Sequence, residues 1–195
     1  EFPGRHNWGY DGVLPFAPDA RYGTPEQLKR FVCAAHAKQL MVLLDVVYNH
    51  FGPQGNFMHR YAAPFFTARH HTPWGAAINF DDEGSGTVRD FYLHNALYWL
   101  EEYRFDGLRF DAVHAIRDDG MPHIINEIAQ RVHDTIGARR HVHLILENEH
   151  NGAGRLAQPK ARTAPAGRAP GTVPRRSPAL GGADRWRRQR VRRNV

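Results

Sequence analysis

The sequence predicts an α/β fold, a parallel sheet with helices outside it, on three observations. Short, nearly continuous apolar runs at residues 40–47, 105–110 and 142–146 have the composition of strands buried on both faces. Segments with helical periodicity alternate with them, at 24–39, 86–103 and 122–136. Polar and charged residues gather just after each apolar run, where sheets of this kind carry their sites.

Residues 1–23 are rich in Gly, Pro, Asn and Asp and predict loops around a short strand at 12–16. Thr24-Pro25-Glu26-Gln27 then starts a helix. Thr24 can cap it, Pro25 suits its first turn, and Gln27 stands three residues after the cap. Leu28, Phe31, Val32 and Ala35 make the buried stripe of that helix, and Cys33 is expected to be a small buried or half-buried side chain. The run at 40–47 follows, interrupted only by Asp45. Residues 49–84 form a long connection rich in His, Phe, Gly and Pro, expected to act as a lid or binding surface. In the helix at 86–103 the packing residues are Val88, Phe91, Tyr92, Trp99, Leu100 and Tyr103. In that at 122–136 they are Ile124, Ile125, Ile128 and Val132. A closed parallel barrel needs eight strands in roughly 250 residues. About four are visible here, so the pattern fits a piece of a barrel or an open sheet.

Charge divides the chain at Asn151. Residues 1–151 carry 14 Lys and Arg against 19 Asp and Glu, a net of −5, whereas residues 152–195 carry 12 against 1, a net of +11. The tail is rich in Pro, Ala, Gly and Arg and poor in large aliphatics, a composition that cannot offset its ordering entropy. It is expected to be disordered, or read out of frame, and to touch polyanions without specificity. No specific nucleic-acid partner is expected. One cysteine excludes an intrachain disulfide framework. No apolar run approaches the roughly 18 residues of a membrane span, and Glu1-Phe2-Pro3-Gly4 does not resemble a signal peptide. The expected location is cytoplasmic, with no membrane partner.

Chemistry concentrates at the strand ends. In Asp106-Gly107-Leu108-Arg109-Phe110-Asp111-Ala112-Val113-His114, an arginine and an aspartate two apart on a strand leave the same face. Arg109 can keep Asp111 ionised and orient it by a bidentate contact. Glu147 ends the next run. Two carboxylates on neighbouring strand ends suit glycosidic cleavage with retention: one attacks the sugar carbon, the other protonates the leaving oxygen. Asp111 is the candidate nucleophile. Glu147 is the candidate acid, with Glu149 on the same side of an extended segment as a competitor. Asp45, Asn49 and His50 form a polar cluster that either binds sugar hydroxyls or is structural. His114 can stand beside Asp111, and His143 leaves the same strand face as Glu147. Trp8, Tyr10, Tyr48, Phe51, Tyr61, Phe65, Phe66 and Trp74 suit stacking on pyranose rings or packing in the core. Despite 13 histidines, no His-Glu-x-x-His or clustered Cys/His spacing predicts a metal, and no phosphate or dinucleotide fingerprint predicts a cofactor.

Taken together, Asp45-Val46-Val47-Tyr48-Asn49-His50, the segment 107–114 and Glu147 resemble, in order, three hallmark motifs of the alpha-amylase superfamily. Within it, Phe2-Pro3-Gly4-Arg5-His6-Asn7-Trp8-Gly9-Tyr10-Asp11-Gly12-Val13, His70-His71-Thr72-Pro73-Trp74-Gly75-Ala76-Ala77-Ile78-Asn79-Phe80 and Leu146-Glu147-Asn148-Glu149-His150-Asn151 resemble the malto-oligosyltrehalose trehalohydrolase family. The resemblance covers residues 1–151. It implies a fragment of a (β/α)8 TIM barrel, roughly strands two to five, in a catalytic domain that hydrolyses the alpha-1,4 bond linking trehalose to a maltooligosaccharide. It also implies Asp111 as nucleophile, Glu147 as acid/base, Arg109 in support, Asp45 and His50 shaping the site, and His114 contacting substrate. The substrate would be maltooligosyltrehalose or another alpha-glucan. The family's third carboxylate, in a motif after strand seven, has no counterpart in these 195 residues, so residues 1–195 alone are expected to be inactive. A glycogen-branching or debranching enzyme of the same superfamily, or a non-catalytic carbohydrate-binding remnant, are the alternatives.

Overall fold

The computed structural model describes residues 1–149 except Pro3 and Asn7. The basic tail expected at 152–195, and the domain boundary expected at Asn151, lie outside the described residues.

Three strands, β1 (Leu43–Val46), β4 (Gly107–Phe110) and β5 (His143–Leu146), pair in parallel in the order β1–β4–β5. Parallel neighbours need crossovers, and helices supply them. Between β1 and β4 run α2 (Met58–Tyr61), a hairpin of β2 (Phe66–Thr72) and β3 (Gly75–Ile78), and α3 (Ser85–Glu102). Between β4 and β5 runs α4 (Ile124–Val132), extended by a π turn over His133–Gly137. The first helix, α1 (Pro25–Ala37), precedes β1. Its capping box is formed as expected: the Gln27 N–H donates to Thr24 Oγ1 at 3.3 Å and the Thr24 N–H to Gln27 Oε1 at 2.8 Å.

The core lies between the sheet and α3 and α4. Val88, Tyr92, Trp99, Leu100 and Tyr103, joined by Ile124, Ile125, Ile128 and Val132, are buried as their spacing predicts; Phe91 is half-buried. Leu93, Asn95 and Ala96 are buried too, so α3 is enclosed on more of its circumference than one stripe. Arg89 ties α3 to the segment after β4. Its guanidinium donates to Asp118 Oδ2 at 2.9 Å, Glu127 Oε2 at 2.8 Å, and the carbonyls of Phe80 and Pro122.

Several expectations are corrected. Residues 12–16 form turns, not a strand; Val13 N–H donates to the Glu1 carbonyl, and Gly52 N–H reaches back to the Gly12 carbonyl at 3.1 Å. In α1 only Val32 is buried; Leu28 and Ala35 are half-buried, and Phe31 and Cys33 are exposed. That helix meets the core along one narrow line. β1 is not buried on both faces, with Leu43 and Asp45 exposed; among the described residues it is an edge of its sheet. Residues 49–84 are no bare loop: the hairpin occupies much of them. Its signal was Thr72-Pro73-Trp74-Gly75, a turn between two extended segments, masked by the polar Arg69-His70-His71.

Close packing of the sheet rests on Gly107. A Cβ there would stand 2.2 Å from the His143 carbonyl oxygen and 2.7 Å from Leu43 Cδ2. Gly107→Ala is therefore expected to destabilise the chain by about 1–3 kcal/mol through overpacking. Urea unfolding followed by circular dichroism measures this; an unchanged midpoint would mean that the three strands separate freely.

Candidate active site

Parallel register builds the site. Asp45 lies opposite Arg109, and Phe110 opposite Leu146. The ladder runs past the strand ends: the Asp111 N–H donates to the Val46 carbonyl, Glu147 N–H to the Phe110 carbonyl, and Val113 N–H to the Glu147 carbonyl, each at 3.0 Å. Asp111 and Glu147 thereby stand on adjacent chain segments at the C-terminal end of the sheet, as the strand-end pattern predicts.

Arg109 Nη1 donates to Asp45 Oδ1 at 2.9 Å and Oδ2 at 2.7 Å, and to Asp111 Oδ1 at 2.9 Å. The hydrogen bonds it donates to Asp45 are the largest influence and, with the charge of Asp45 and the contact with Asp111, raise the guanidinium's pKa above its ordinary value against the opposing effect of burial. Arg109 is thus a permanent cation between two carboxylates. The two-oxygen contact expected on Asp111 falls on Asp45 instead. Register explains it: Asp45 is directly across the ladder, whereas Asp111 is two residues along the same strand. Tyr10 completes this side, its hydroxyl donating to Asp45 Oδ2 at 3.0 Å; that bond raises the phenol's pKa.

Asn49 is buried and works on backbone. Its Nδ2 donates to the carbonyls of Asp111 at 3.0 Å and Ala112 at 3.2 Å. Its Oδ1 accepts from His50 Nδ1, and the His50 ring stacks on Trp74 with centroids 4.0 Å apart and planes at 10°. Burial lowers the His50 pKa, with the charges of Asp11 and Asp111 opposing. Ala112 adopts the left-handed conformation, φ 43° and ψ 51°, a placement that costs an L residue about 1–2 kcal/mol. It turns the Ala112 N–H onto Glu147 Oε2 at 2.7 Å. The two acids are coupled through this one residue.

Other candidates fall elsewhere. Tyr48 is in the core, 2 % exposed, its hydroxyl donating to Asn95 Oδ1 at 2.6 Å, so it does not offer a face to a sugar. Phe51 and Phe65 are core residues as well. Trp8 is 93 % exposed and Tyr61 is exposed. His114 Nε2 stands 3.7 Å from Glu149 Oε1, a mostly exposed carboxylate. His143 sits at the opposite end of β5 from Glu147, against His141, because three residues of strand lie between them. Neither the clamp of Asn49 on backbone nor the turn at Ala112 carries a residue-type signal, and both were missed.

The chain matches no family model. It is 50% identical over 133 residues to a protein from Saccharolobus solfataricus named malto-oligosyltrehalose trehalohydrolase, covering 68% of this chain and 24% of that one. It is 46% identical over 151 residues to one of the same name from Arthrobacter ramosus, covering 77% and 26%. A crystal structure of an alpha-amylase from Salmonella typhimurium superposes with a TM-score of 0.71 at 46% identity, covering 76% of this chain and 25% of that one. The chain belongs to the alpha-amylase superfamily. It spans about a quarter of the length of the curated relatives it matches, and its α/β sheet is part of the barrel of that superfamily. A branching enzyme from Burkholderia thailandensis is more distant, 39% identical with 62% of this chain and 16% of that one covered. No described helix is long and apolar enough to cross a membrane.

The lowered His50 pKa has a sign. The folded chain binds fewer protons than the unfolded one between the lowered value and the ordinary histidine value of about 6.5. The stability this confers is present above that window and is lost as pH falls through it. His50→Gln is expected to flatten the fall in unfolding free energy below about pH 6.5. Denaturant titrations at stepped pH test this; an equal slope in both proteins would remove His50 from the account.

Proposed function

We propose that residues 1–151 form part of the catalytic barrel, roughly its strands two to five, of a cytoplasmic glycoside hydrolase, with residues 152–195 a separate basic tail. The enzyme cleaves the alpha-1,4-glucosidic bond next to the trehalose unit of maltooligosyltrehalose and releases trehalose and a maltooligosaccharide. The observation that carries the proposal is the coupled pair: Asp111 held by Arg109, and Glu147 held one residue away by the Ala112 amide. The names of the Saccharolobus solfataricus and Arthrobacter ramosus relatives support the substrate.

In this mechanism Asp111, held by the Arg109 guanidinium, attacks the anomeric carbon while Glu147 protonates the leaving glycosidic oxygen. A water then displaces Asp111 with Glu147 accepting its proton, so the configuration is retained. Arg109 orients the nucleophile, Asn49 fixes its backbone, and Asp45, His50 and Tyr10 line the cleft. Glu147 takes the acid role over Glu149 because it faces the nucleophile segment, whereas Glu149 is turned out toward His114 and solvent. Asp111 and Glu147 act on the substrate without a cofactor.

The test uses the intact gene product that carries these residues. Free trehalose from maltooligosyltrehalose is expected; chain transfer or branch release on glycogen would instead establish the branching or debranching alternative. Asp111→Asn and Glu147→Gln are each expected to lower kcat/KM by about 10³-fold or more, and Glu149→Gln by only a few-fold. A Glu149→Gln variant as damaged as Glu147→Gln would reassign the acid. Residues 1–195 alone are expected to release no trehalose.

A further inference from the structure

A second cluster of polar groups stands apart from the carboxylate pair. His70 on β2, Asp81 after β3 and Asp119 after β4 bring one imidazole nitrogen and two carboxylate oxygens within 4.8 Å of one another. His70 Nε2 is 2.8 Å from Asp81 Oδ2 and 3.9 Å from Asp119 Oδ2. The Asp81 side chain is 2 % exposed, and its Oδ1 is buried without a hydrogen-bond partner. A buried carboxylate with an unmet oxygen costs free energy unless something completes it.

We propose that His70, Asp81 and Asp119 bind a divalent cation of the zinc class. Such a cation would pin the β2–β3 hairpin to the loop after β4. The donor set, one imidazole and two carboxylates, suits zinc and its first-row neighbours better than calcium or magnesium, which take oxygen alone. Around zinc, ligands at 2.0–2.2 Å in tetrahedral array stand roughly 3.4 Å apart. The distances of 2.8 and 3.9 Å bracket that value. Three protein ligands leave the fourth position for water. The backbone already fixes one member: the Asp119 N–H donates to Asp81 Oδ2 at 2.8 Å. The neighbouring Asp118 is committed otherwise, to Arg89 and to the Ile124 N–H.

Arg69 competes with the ion. Its Nη2 stands 3.2 Å from Asp119 Oδ2 and its Nη1 3.9 Å from Asp81 Oδ2, on a side chain 48% exposed. Arg69 neutralises the two acids and must swing into solvent as the cation enters. That competition supplies a diagnostic: removing Arg69 should tighten binding, whereas a purely structural ion-pair cluster predicts only loss.

The experiment titrates zinc into chelator-stripped residues 1–195 against a chromogenic chelator, with circular dichroism on every variant. One zinc per chain with micromolar affinity is expected. Asp119→Asn, at an exposed side chain, and His70→Asn should each weaken it by about tenfold or more with the spectrum unchanged. Arg69→Gln should tighten it several-fold. Zinc bound equally by wild type, Asp119→Asn and His70→Asn would place the ion on other histidines and overturn the proposal. So would an Arg69→Gln variant that binds no tighter, or displacement of zinc by equimolar calcium.

Discussion

One guanidinium nitrogen organises the carboxylate end of this sheet. Arg109 Nη1 touches both oxygens of Asp45 and one of Asp111, and it can do so only because β1 and β4 run parallel with Asp45 opposite Arg109. Slip that register by one residue and Asp45 turns to the other face of the sheet. The charge would then have one partner, and Tyr10 would lose its acceptor. Gly107, at the other end of the same strand, lets its neighbours approach closely enough to keep the register. Strand packing and site geometry are therefore a single constraint.

From that constraint the second acid follows. The ladder continues through Asp111 and Glu147 beyond the strands, and Ala112 turns left-handed between them. The conformational cost at Ala112 is met by polar contacts on both sides of the residue: its carbonyl accepts from Asn49 and its amide donates to Glu147. The buried Asn49 thus acts on main chain, and His50 and Trp74 brace it from behind. In the superfamily to which the chain belongs, the proposed chemistry requires just this kind of fixed separation between two acids.

Much of this was legible in the sequence for a simple reason. Apolar runs mark buried strands, and acids at their ends mark strand ends, so Arg109, Asp111 and Glu147 could be placed at one end of the sheet from the sequence, whereas the pairing of Asp45 with Arg109 waited on the register. The α1 start was equally plain, because Thr24 and Gln27 satisfy each other's backbone locally. What failed depended on tertiary context. Tyr48 carries a polar tip that suits a cleft, but Asn95 meets that tip inside the core. Phe31 and Cys33 have the right types for a buried face, but α1 meets the core along Val32 and the half-buried Leu28. The hairpin hides behind polar residues, and His70, Asp81 and Asp119 converge from three segments whose spacing resembles no ligand motif.

Edges of the sheet carry one more consequence. Among the described residues, β1 and β5 each have a neighbour on one side only, and Leu43 and Ile145 on them are exposed alongside Leu40 and Met41. Strand edges flanked by apolar side chains are the arrangement most ready to pair with a further strand, so these two lines are where neighbouring strands of a parallel barrel would add.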